Sequence, residues 1–208
     1  MTTIVVIAKA PVAGRVKTRL CPPCTADDAA RIAEAALGDT LASVADAACD
    51  RRVIALDGEP GPWLPPGFLV IPQVDGNLGD RLAAAVERID GPVLVVGMDT
   101  PQVSRALLDE ACARLLDPAI DAVVGPAVDG GYWAIGFRDR RRGAFCGVEM
   151  SMATTGAQQR TRLHTLGLTV HDLPKLRDVD TFADALAVGA AIPHSRFARV
   201  LAGLEIAA

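Results

Sequence analysis

The sequence has few aromatic residues. Only 4% of its 208 residues are Phe, Trp or Tyr, although half of them are hydrophobic. A core with so few large rings has to be built from Ala, Val, Leu and Ile, which suits helices packed closely on a parallel sheet. A chain of this length can bury one substantial core and is short for two. We therefore expect residues 1–208 to form a single α/β domain.

Long apolar runs and a secretory signal are also missing. No stretch approaches the roughly 18 apolar residues that span a bilayer, and the brief apolar run at the N-terminus is followed by cations, unlike a signal peptide. The net charge of −4, with basic residues concentrated locally, argues against nucleic acid and membranes as partners. We expect a soluble, cytoplasmic protein. The sequence does not reveal its oligomeric state.

The five cysteines lack the spacing of a metal centre. Cys21-Pro-Pro-Cys24 has the separation of a redox pair or half of a zinc site, but no second Cys or His pair accompanies it. An odd number of cysteines in a cytosolic chain favours free thiols.

The most informative segment is the N-terminal strand and the loop after it. Residues 4–8 are short, apolar and rich in β-branched side chains, which predicts a strand buried on both faces. The loop that follows contains Pro11 and Gly14 and no acidic residue, and its cations are Lys9, Arg15, Lys17 and Arg19. A buried strand that opens into a basic loop is typical of phosphate-binding α/β proteins. The alternative is a solvated connection that happens to be basic.

The two common phosphate-binding motifs are absent. Gly14-Arg-Val-Lys17-Thr18 lacks the glycine directly before lysine that a Walker A motif requires, and no Gly-x-Gly-x-x-Gly follows the first strand. A dinucleotide oxidoreductase is therefore unexpected. Arg15, Lys17 and Arg19 are spaced two residues apart, so an extended loop would let all three face one phosphate chain. We assign these three residues the catalytic role.

Strand and helix patterns alternate along the whole chain. This alternation predicts a doubly wound α/β fold without repeats or linkers. Predicted strands cover residues 4–8, 51–56, 68–72, 92–97, 121–125 and 169–173, and predicted helices cover 25–48, 82–89, 104–116, 151–166, a segment opened by 178–181, and 194–204.

Two aspartates follow predicted strands and are candidate metal ligands. Asp99 comes directly after the very apolar strand 92–97, at the edge where open α/β sheets bind ligands. A carboxylate near a polyphosphate is suited to Mg²⁺ or Mn²⁺. Asp180 is the preferred partner within Asp178-Val-Asp180-Thr181. The alternatives are an Asx turn at Asp99 and a helix cap at Asp180.

Two glycine-containing segments are further candidates. Paired glycines in Asp129-Gly130-Gly131-Tyr132 indicate a close backbone approach to a ligand, here an acceptor, or else a structural hairpin. The segment from Gly76 through Gly79 to Arg81 is interpreted as a loop over a base or sugar, with Arg81 near phosphate.

Four motifs together resemble a known family. They are Lys9-Ala-Pro11…Gly14-Arg-Val-Lys17-Thr18-Arg19-Leu20, Gly97-Met-Asp99-Thr-Pro101, Asp129-Gly-Gly131-Tyr132 and Asp178-Val-Asp180-Thr181. Their order over roughly residues 3–190 resembles the bacterial DUF2064 family, labelled glycosyltransferase A-like, of the GT-A nucleotide-diphospho-sugar transferase superfamily. Parts are also similar to 2-phospholactate or phosphoenolpyruvate guanylyltransferases. The chain departs from its relatives at Met150-Ser151, where they tend to carry Trp-Ser, and in its Cys-Pro-Pro-Cys segment.

The resemblance implies a single Rossmann-like GT-A domain with a mostly parallel sheet flanked by helices. In the related nucleotidyltransferases the loop that matches Arg15 and Lys17 faces the triphosphate, and the aspartates that match Asp99 and Asp180 hold the metal. The expected nucleotide contacts are Ala8, Lys9, Pro11, Gly14, Gly76, Gly79 and Arg81.

Together these features favour a Mg²⁺- or Mn²⁺-dependent transferase that binds a nucleoside triphosphate or a nucleotide-sugar. Nucleotidyl transfer to a small phosphorylated acceptor fits the basic loop better, because negative charge develops on the departing pyrophosphate beside Arg15, Lys17 and Arg19. Glycosyl transfer from a nucleotide-diphospho-sugar stays open, and so does a non-catalytic nucleotide-binding protein.

Overall fold

The strand predicted nearest the N-terminus lies inside one seven-stranded sheet. The computed structural model describes residues 1–204. Its strands are β1 (Thr3–Lys9), β2 (Arg51–Asp57), β3 (Leu69–Pro72), β4 (Val93–Gly97), β5 (Ala122–Pro126), β6 (Tyr132–Phe137) and β7 (Val170–Asp172). The strand order is β3-β2-β1-β4-β6-β5-β7. Every neighbouring pair is parallel except the two that involve β6. The expected α/β class and mostly parallel sheet are therefore confirmed.

Residues 1–204 also form six α-helices and one short 3₁₀ helix, and the last two helices follow the final strand. They are the 3₁₀ helix Thr18–Leu20, α1 (Ala26–Asp46), α2 (Leu78–Glu87), α3 (Arg105–Leu116), α4 (Thr155–Thr165), α5 (Phe182–Ala191) and α6 (Arg196–Ala202). Within residues 1–204, none of the helices combines the length and the apolar character needed to cross a bilayer. The assignment of residues 1–208 to one domain stays a prediction, and residues 205–208 lie outside the described part of the chain.

The core lies on both faces of the sheet because strand side chains alternate. Ile4, Val6 and Ala8 of β1 pack with one cluster of buried side chains, whereas Val5 packs with the cluster on the opposite face. These residues are at most 3% exposed, which confirms a strand buried on both faces. The carboxyl end of β1 therefore lies directly above the packed interior.

Helix α1 begins where its sequence predicts. The Thr25 side chain accepts a hydrogen bond from the Asp28 amide, and the Asp28 carboxylate accepts one from the Thr25 amide. This capping box satisfies two amide groups that the helix itself leaves unpaired and contributes about 1 kcal/mol. The capping box also fixes the residue at which the preceding basic loop ends. Because β1 fixes the residue at which the loop begins, the loop is anchored at both ends.

Two helix boundaries differ from the prediction. Helix α2 already begins at Leu78, because Asn77 and Asp80 form a second capping box. Gly79 and Arg81 therefore lie in the first turn of a helix, and only Gly76 belongs to the loop. Helix α4 begins at Thr155, four residues later than the polar pattern from Ser151 predicts. Both shifts lie at helix starts, where local hydrogen bonds decide the boundary.

Strand β6 determines what faces the carboxyl edge of the parallel strands. It runs antiparallel to β4 with Val96 opposite Ala134, so the beginning of β6 lies beside the end of β4. Since β5 and β6 form a hairpin, its turn over residues 127–131 lies at the same edge as the loops after β1 and β4. The hairpin that the sequence left as an alternative for the paired glycines is thus present.

Candidate active site

Two adjoining cavities lie at this edge of the sheet. The larger, of about 580 Å³, is lined by the ends of β1 and β4, by β6, and by segments before α2, α4 and α5. The smaller, of about 240 Å³, is lined mainly by the loop from Lys9 to Arg19. Both cavities share Lys9, Arg19, Met98, Asp99 and Asp180. The two predicted metal ligands therefore lie on the boundary between the cavities.

Lys17 lies between these two aspartates. Its Nζ is 2.8 Å from Asp99 Oδ1 and 3.4 Å from Asp180 Oδ1, and it also donates a hydrogen bond to the Val179 carbonyl. Only 7% of its side chain is exposed. The spacing of the basic loop predicts that this ammonium group faces phosphate together with its neighbours, but here it contacts carboxylates. The reason is an attraction to two carboxylates that lie 82 (99 − 17) and 163 positions further along the chain, which no local pattern reports.

The backbone of Lys17 is in the left-handed region, with φ 49° and ψ 35°. This conformation costs a non-glycine residue roughly 1–2 kcal/mol. Residues in such sparsely populated backbone conformations cluster at functional sites, where the surrounding structure enforces the conformation. The cost is offset here by the ion pairs that the bent backbone lets the side chain make.

Arg15 and Arg19 do not share the buried position of Lys17. Both line the smaller cavity, and Arg19 also borders the larger one. The Arg19 side chain is 74% exposed, and its Nη1 lies 3.4 Å from Asp180 Oδ2. Together with Lys9, these arginines give the smaller cavity a basic wall that suits phosphate oxygens.

Asp99 and Asp180 fit a divalent cation in chemistry and in number. Asp99 Oδ1 is buried and receives no hydrogen bond of good geometry, although it forms an ion pair with Lys17. Residues 1–204 contain no group of three or more His, Cys, Asp or Glu side chains that could hold a metal ion. A Mg²⁺ site that uses only two carboxylates takes its remaining ligands from water and substrate phosphates. The pair fits a cation that binds together with a nucleotide.

A third carboxylate, Asp178, also lines the larger cavity. Burial and the nearby Asp129 and Asp99 carboxylates raise the pKa of Asp178 to about 7. The sequence favours Asp180 over Asp178 as a metal ligand, and both aspartates line the larger cavity.

Arg81 is held by a network at the ends of β2 and β3. Its Nη1 donates to Asp57 Oδ2 at 3.0 Å and to Gln73 Oε1 at 3.2 Å, and its Nε donates to the Gly76 carbonyl at 3.1 Å. Gln73 Nε2 in turn donates to the carbonyls of Ala8 and Ala55. Sequence reasoning missed Gln73 and Asp57. The available signal was their position at the carboxyl ends of two neighbouring parallel strands.

The turn between β5 and β6 is built by close backbone contacts. Gly131 N donates to Asp129 Oδ1 at 2.9 Å. Gly130 has φ +93°, and a Cβ at this position would lie only 2.0 Å from the Ala153 carbonyl oxygen. Only glycine fits there, because the turn packs directly against the segment before α4. The paired glycines thus fix the position of Asp129 on the cavity wall.

Tyr132 closes the far side of the larger cavity. Its hydroxyl lies 3.4 Å from Gln159 Oε1 and 3.6 Å from Met150 Sδ. Burial raises the pKa of the Tyr132 hydroxyl well above its usual value. Tyr132 is therefore a neutral hydrogen-bonding group here. Met150 lines the same cavity.

Most of the predicted site residues meet at the two cavities. Pro11, Gly14, Gly79 and Gly130 line neither of them, so these four residues shape the surrounding turns and helix. The predicted residues that line one or both cavities are Ala8, Lys9, Arg15, Lys17, Arg19, Gly76, Arg81, Asp99, Asp129, Gly131, Tyr132 and Asp180. All five cysteines are free, and Cys21 Sγ donates to the Thr25 carbonyl.

The fold is that of nucleotidyltransferases and nucleotide-sugar transferases. The chain is similar over 97% of its length to a candidate nucleotide-diphospho-sugar transferase of Desulfovibrio desulfuricans G20, of which 92% is covered, with 28% identity and a TM-score of 0.86. A nucleotidyl transferase of Methanothermobacter matches 96% of this chain and 98% of its own, with 18% identity and a TM-score of 0.66. Rv0371c of Mycobacterium tuberculosis H37Rv, in a complex with manganese, matches 90% of this chain and 96% of its own, with 24% identity and a TM-score of 0.52.

The sequence also defines the family. Residues 30–152 match the family DUF2064, described as an uncharacterized protein conserved in bacteria. The chain belongs to this family, which confirms the resemblance, and the motifs at Gly97–Pro101 and Asp129–Tyr132 lie within the matched residues. No curated protein gives a significant sequence match.

Proposed function

We propose that this protein is a divalent-cation-dependent nucleotidyltransferase that transfers a nucleotidyl group from a nucleoside triphosphate to a small phosphorylated acceptor. The observation that carries the proposal is the junction of two cavities at Asp99 and Asp180. The smaller cavity has the basic wall that a departing pyrophosphate needs, and the larger has room for a nucleoside and an acceptor.

The two aspartates would hold the cation. Asp99 and Asp180 supply carboxylate oxygens at the junction, and Asp99 Oδ1 lacks a hydrogen bond of its own. When bound, Mg²⁺ or Mn²⁺ would neutralise phosphate charge and stabilise the negative charge that develops on the leaving group.

The cations of the N-terminal loop would bind the leaving group. An oxygen of the acceptor phosphate attacks the α-phosphorus, and the bond from the α-phosphorus to its oxygen bridge with the β-phosphate breaks. Pyrophosphate departs with the electron pair of that bond. Arg15, Arg19 and Lys9 stabilise this charge because they are already in place at the smaller cavity. No general base is needed, since the attacking oxygen is anionic before the reaction.

The remaining walls would orient the two substrates. On the side of β1 to β3, Arg81 and Gln73 hold the Gly76 loop and the backbone of β1 in place for the nucleoside. On the opposite side, the turn at Asp129–Gly131 and the Tyr132 hydroxyl face the acceptor. Because Asp129 and Asp178 are acidic, a phosphorylated acceptor depends on Arg19 and the bound cation to offset repulsion.

Glycosyl transfer from a nucleotide-diphospho-sugar is the second candidate. Two observations favour it: the 28% identity to a candidate nucleotide-diphospho-sugar transferase, and the carboxylates of Asp129 and Asp178 on the acceptor side. Carboxylates accept hydrogen bonds from sugar or acceptor hydroxyl groups without the repulsion that a phosphate meets.

The test is the release of pyrophosphate from each of the four ribonucleoside triphosphates with Mg²⁺, with and without a panel of phosphorylated acceptors. Thermal shifts with UDP- and GDP-sugars run in parallel. Arg15→Ala should lower acceptor-dependent release about 100-fold. Arg142→Ala, an exposed arginine in the loop after β6, is the matched control and should leave the rate unchanged.

Each outcome of this test points to one function. Acceptor-dependent pyrophosphate release that Arg15→Ala lowers about 100-fold supports nucleotidyl transfer and identifies the base. Stabilisation by one nucleotide-sugar, without pyrophosphate from any triphosphate, supports glycosyl transfer. Binding without turnover of either substrate class supports a non-catalytic nucleotide-binding protein, and no response to any nucleotide contradicts all three.

A further inference from the structure

The ammonium group of Lys17 contacts the same carboxylates as the proposed divalent cation. Its Nζ is 2.8 Å from Asp99 Oδ1 and 3.4 Å from Asp180 Oδ1. Magnesium binds carboxylate oxygens at about 2.0–2.1 Å. A cation that bridges these two oxygens therefore needs the space in which Nζ lies. Lys17 and the divalent cation compete for one position.

We propose that Lys17 is a built-in counterion that leaves Asp99 and Asp180 when the divalent cation binds, and then contributes its charge to the phosphate side. This inference deepens the proposed function and rests on the assignment of Asp99 and Asp180 as the metal pair. It gives Lys17 two successive partners: carboxylates in the free protein and phosphate oxygens in the complex.

The smaller cavity offers Lys17 its second position. Lys17 already lines this cavity, together with Arg15 and Lys9. The lysine side chain has a flexible four-carbon stem, so rotations of this stem can move Nζ away from the carboxylates while the backbone stays in place. The left-handed backbone of Lys17 and the 3₁₀ helix that follows it need not change.

The exchange couples the binding of cation and phosphate. While Lys17 occupies the carboxylates, the apparent affinity for the cation is reduced by the fraction of molecules in that state. A polyphosphate that attracts Lys17 removes this competition, so it increases cation affinity. By reciprocity the cation increases polyphosphate affinity by the same factor, and such couplings typically amount to about 5–150-fold.

Arg19 provides the control that separates exchange from a simple charge effect. Its Nη1 lies 3.4 Å from Asp180 Oδ2, but 74% of the side chain is exposed. Replacement of either Lys17 or Arg19 by methionine removes one positive charge beside Asp180. Only the replacement of Lys17 also removes a group from the space between the two carboxylates.

The first experiment measures the dissociation constant of Mn²⁺ alone for the full chain by calorimetry or electron paramagnetic resonance. We expect Lys17→Met to bind Mn²⁺ about tenfold more tightly than the wild type. Arg19→Met should change the constant by no more than about twofold, because exposed charges interact weakly through solvent. Equal changes in the two variants, or weaker Mn²⁺ binding by Lys17→Met, would overturn the inference.

The second experiment adds inorganic pyrophosphate at saturation. The wild type should then bind Mn²⁺ about tenfold more tightly than without pyrophosphate. In Lys17→Met the increase in Mn²⁺ affinity should be smaller, because only the part that pyrophosphate contributes as a ligand of the metal remains. The inference is wrong if the gain is the same in both proteins.

The third experiment uses only the wild type, so a folding defect of the variant cannot affect it. Amine-specific labelling is read by mass spectrometry at Lys17, with exposed Lys175 as the internal reference. Saturating Mg²⁺ alone should increase labelling of Lys17 severalfold and leave Lys175 unchanged. Labelling of Lys17 that does not respond to Mg²⁺ contradicts the exchange.

None of these measurements requires turnover. A protein that shows the Lys17-dependent Mn²⁺ affinities but transfers no nucleotidyl group supports the exchange and removes the proposed reaction. Failure of Lys17→Met to bind Mn²⁺ overturns the exchange together with the assignment of the metal pair.

Discussion

The backbone amide of Val179 donates a hydrogen bond to the carbonyl oxygen of Asp99, with 2.9 Å between nitrogen and oxygen. This bond joins the loop after β4 to the segment before α5. Because main-chain atoms form it, it persists when the neighbouring side chains are replaced. The separation of Asp99 and Asp180 is therefore set by the backbone, so their carboxylates can be exchanged for amides without moving the two segments apart.

Asp99→Asn and Asp180→Asn should each lower the rate of metal-dependent transfer about 100-fold, because each removes one carboxylate from the cation. The free energy of unfolding should change by only about 1 kcal/mol, since Lys17 keeps its other carboxylate and the Val179 carbonyl. Initial rates and thermal melts of the same preparations test both statements. Wild-type rates in both variants would show that the pair holds no catalytic metal.

Gly130→Ala should destabilise the protein by about 3 kcal/mol, because a Cβ would lie 2.0 Å from the Ala153 carbonyl oxygen in a left-handed turn. Gly147→Ala is the matched control, with a similar φ of +77° and no atom within 4 Å of its Cβ. It should cost only about 1 kcal/mol. Chemical denaturation of both variants gives the difference. Equal losses would mean that the close contact with Ala153 is unimportant.

Arg81→Lys should increase the KM for the nucleotide about tenfold while kcat stays within about twofold, since the lysine cannot bond Gly76, Gln73 and Asp57 together. Arg88→Lys, at the C-cap of the same helix and with a hydrogen bond to the Pro72 carbonyl, should leave both constants unchanged. Steady-state kinetics under one set of conditions compares them. A decrease in kcat with an unchanged KM would place Arg81 at the reacting phosphate.

The stability of the wild type should decrease on the acid side partly through Asp121. The Thr169 amide, and then the Arg138 and Arg141 guanidinium groups, hold the pKa of Asp121 below its usual value. A carboxyl group whose pKa is lower in the folded state stabilises the fold above its unfolded pKa of about 3.9, and this contribution is lost as the pH falls through the folded value. In Asp121→Asn, the free energy of unfolding measured by urea denaturation should decrease less steeply between pH 5 and 2 than in the wild type, because the titrating carboxyl group has been removed. A slope identical to the wild type would contradict this role.

Much of the fold could be predicted from local patterns. The capping box of Thr25 and Asp28 lies within four consecutive residues, and the apolar run of β4 is uninterrupted, so both are readable without tertiary information. The pattern of Gly76 and Gly79 predicted a loop, so the start of α2 at Leu78 was missed. Asn77 and Asp80 together form the capping box at which this helix begins. Glycine composition was the weaker signal there.

The site was only partly predictable. Position after predicted strands pointed to Asp99 and Asp180, and the paired glycines pointed to Asp129; each of these aspartates lines the larger cavity. The orientation of Lys17 could not be predicted, because its partners Asp99 and Asp180 lie far away in sequence and only the folded chain brings them together. The same holds for Gln73, whose carbonyl partners belong to β1 and β2.

Strand β4 divides the site between two parts of the chain. The basic loop, Gln73 and Arg81 precede β4, whereas the turn at Asp129, Met150 and the segment before α5 follow it. A lineage can therefore exchange residues of the later part by mutation without altering the earlier part. Descendants of one ancestral gene are then free to diverge in the walls that the later part supplies while inheriting the basic loop and the Gln73–Arg81 network unchanged.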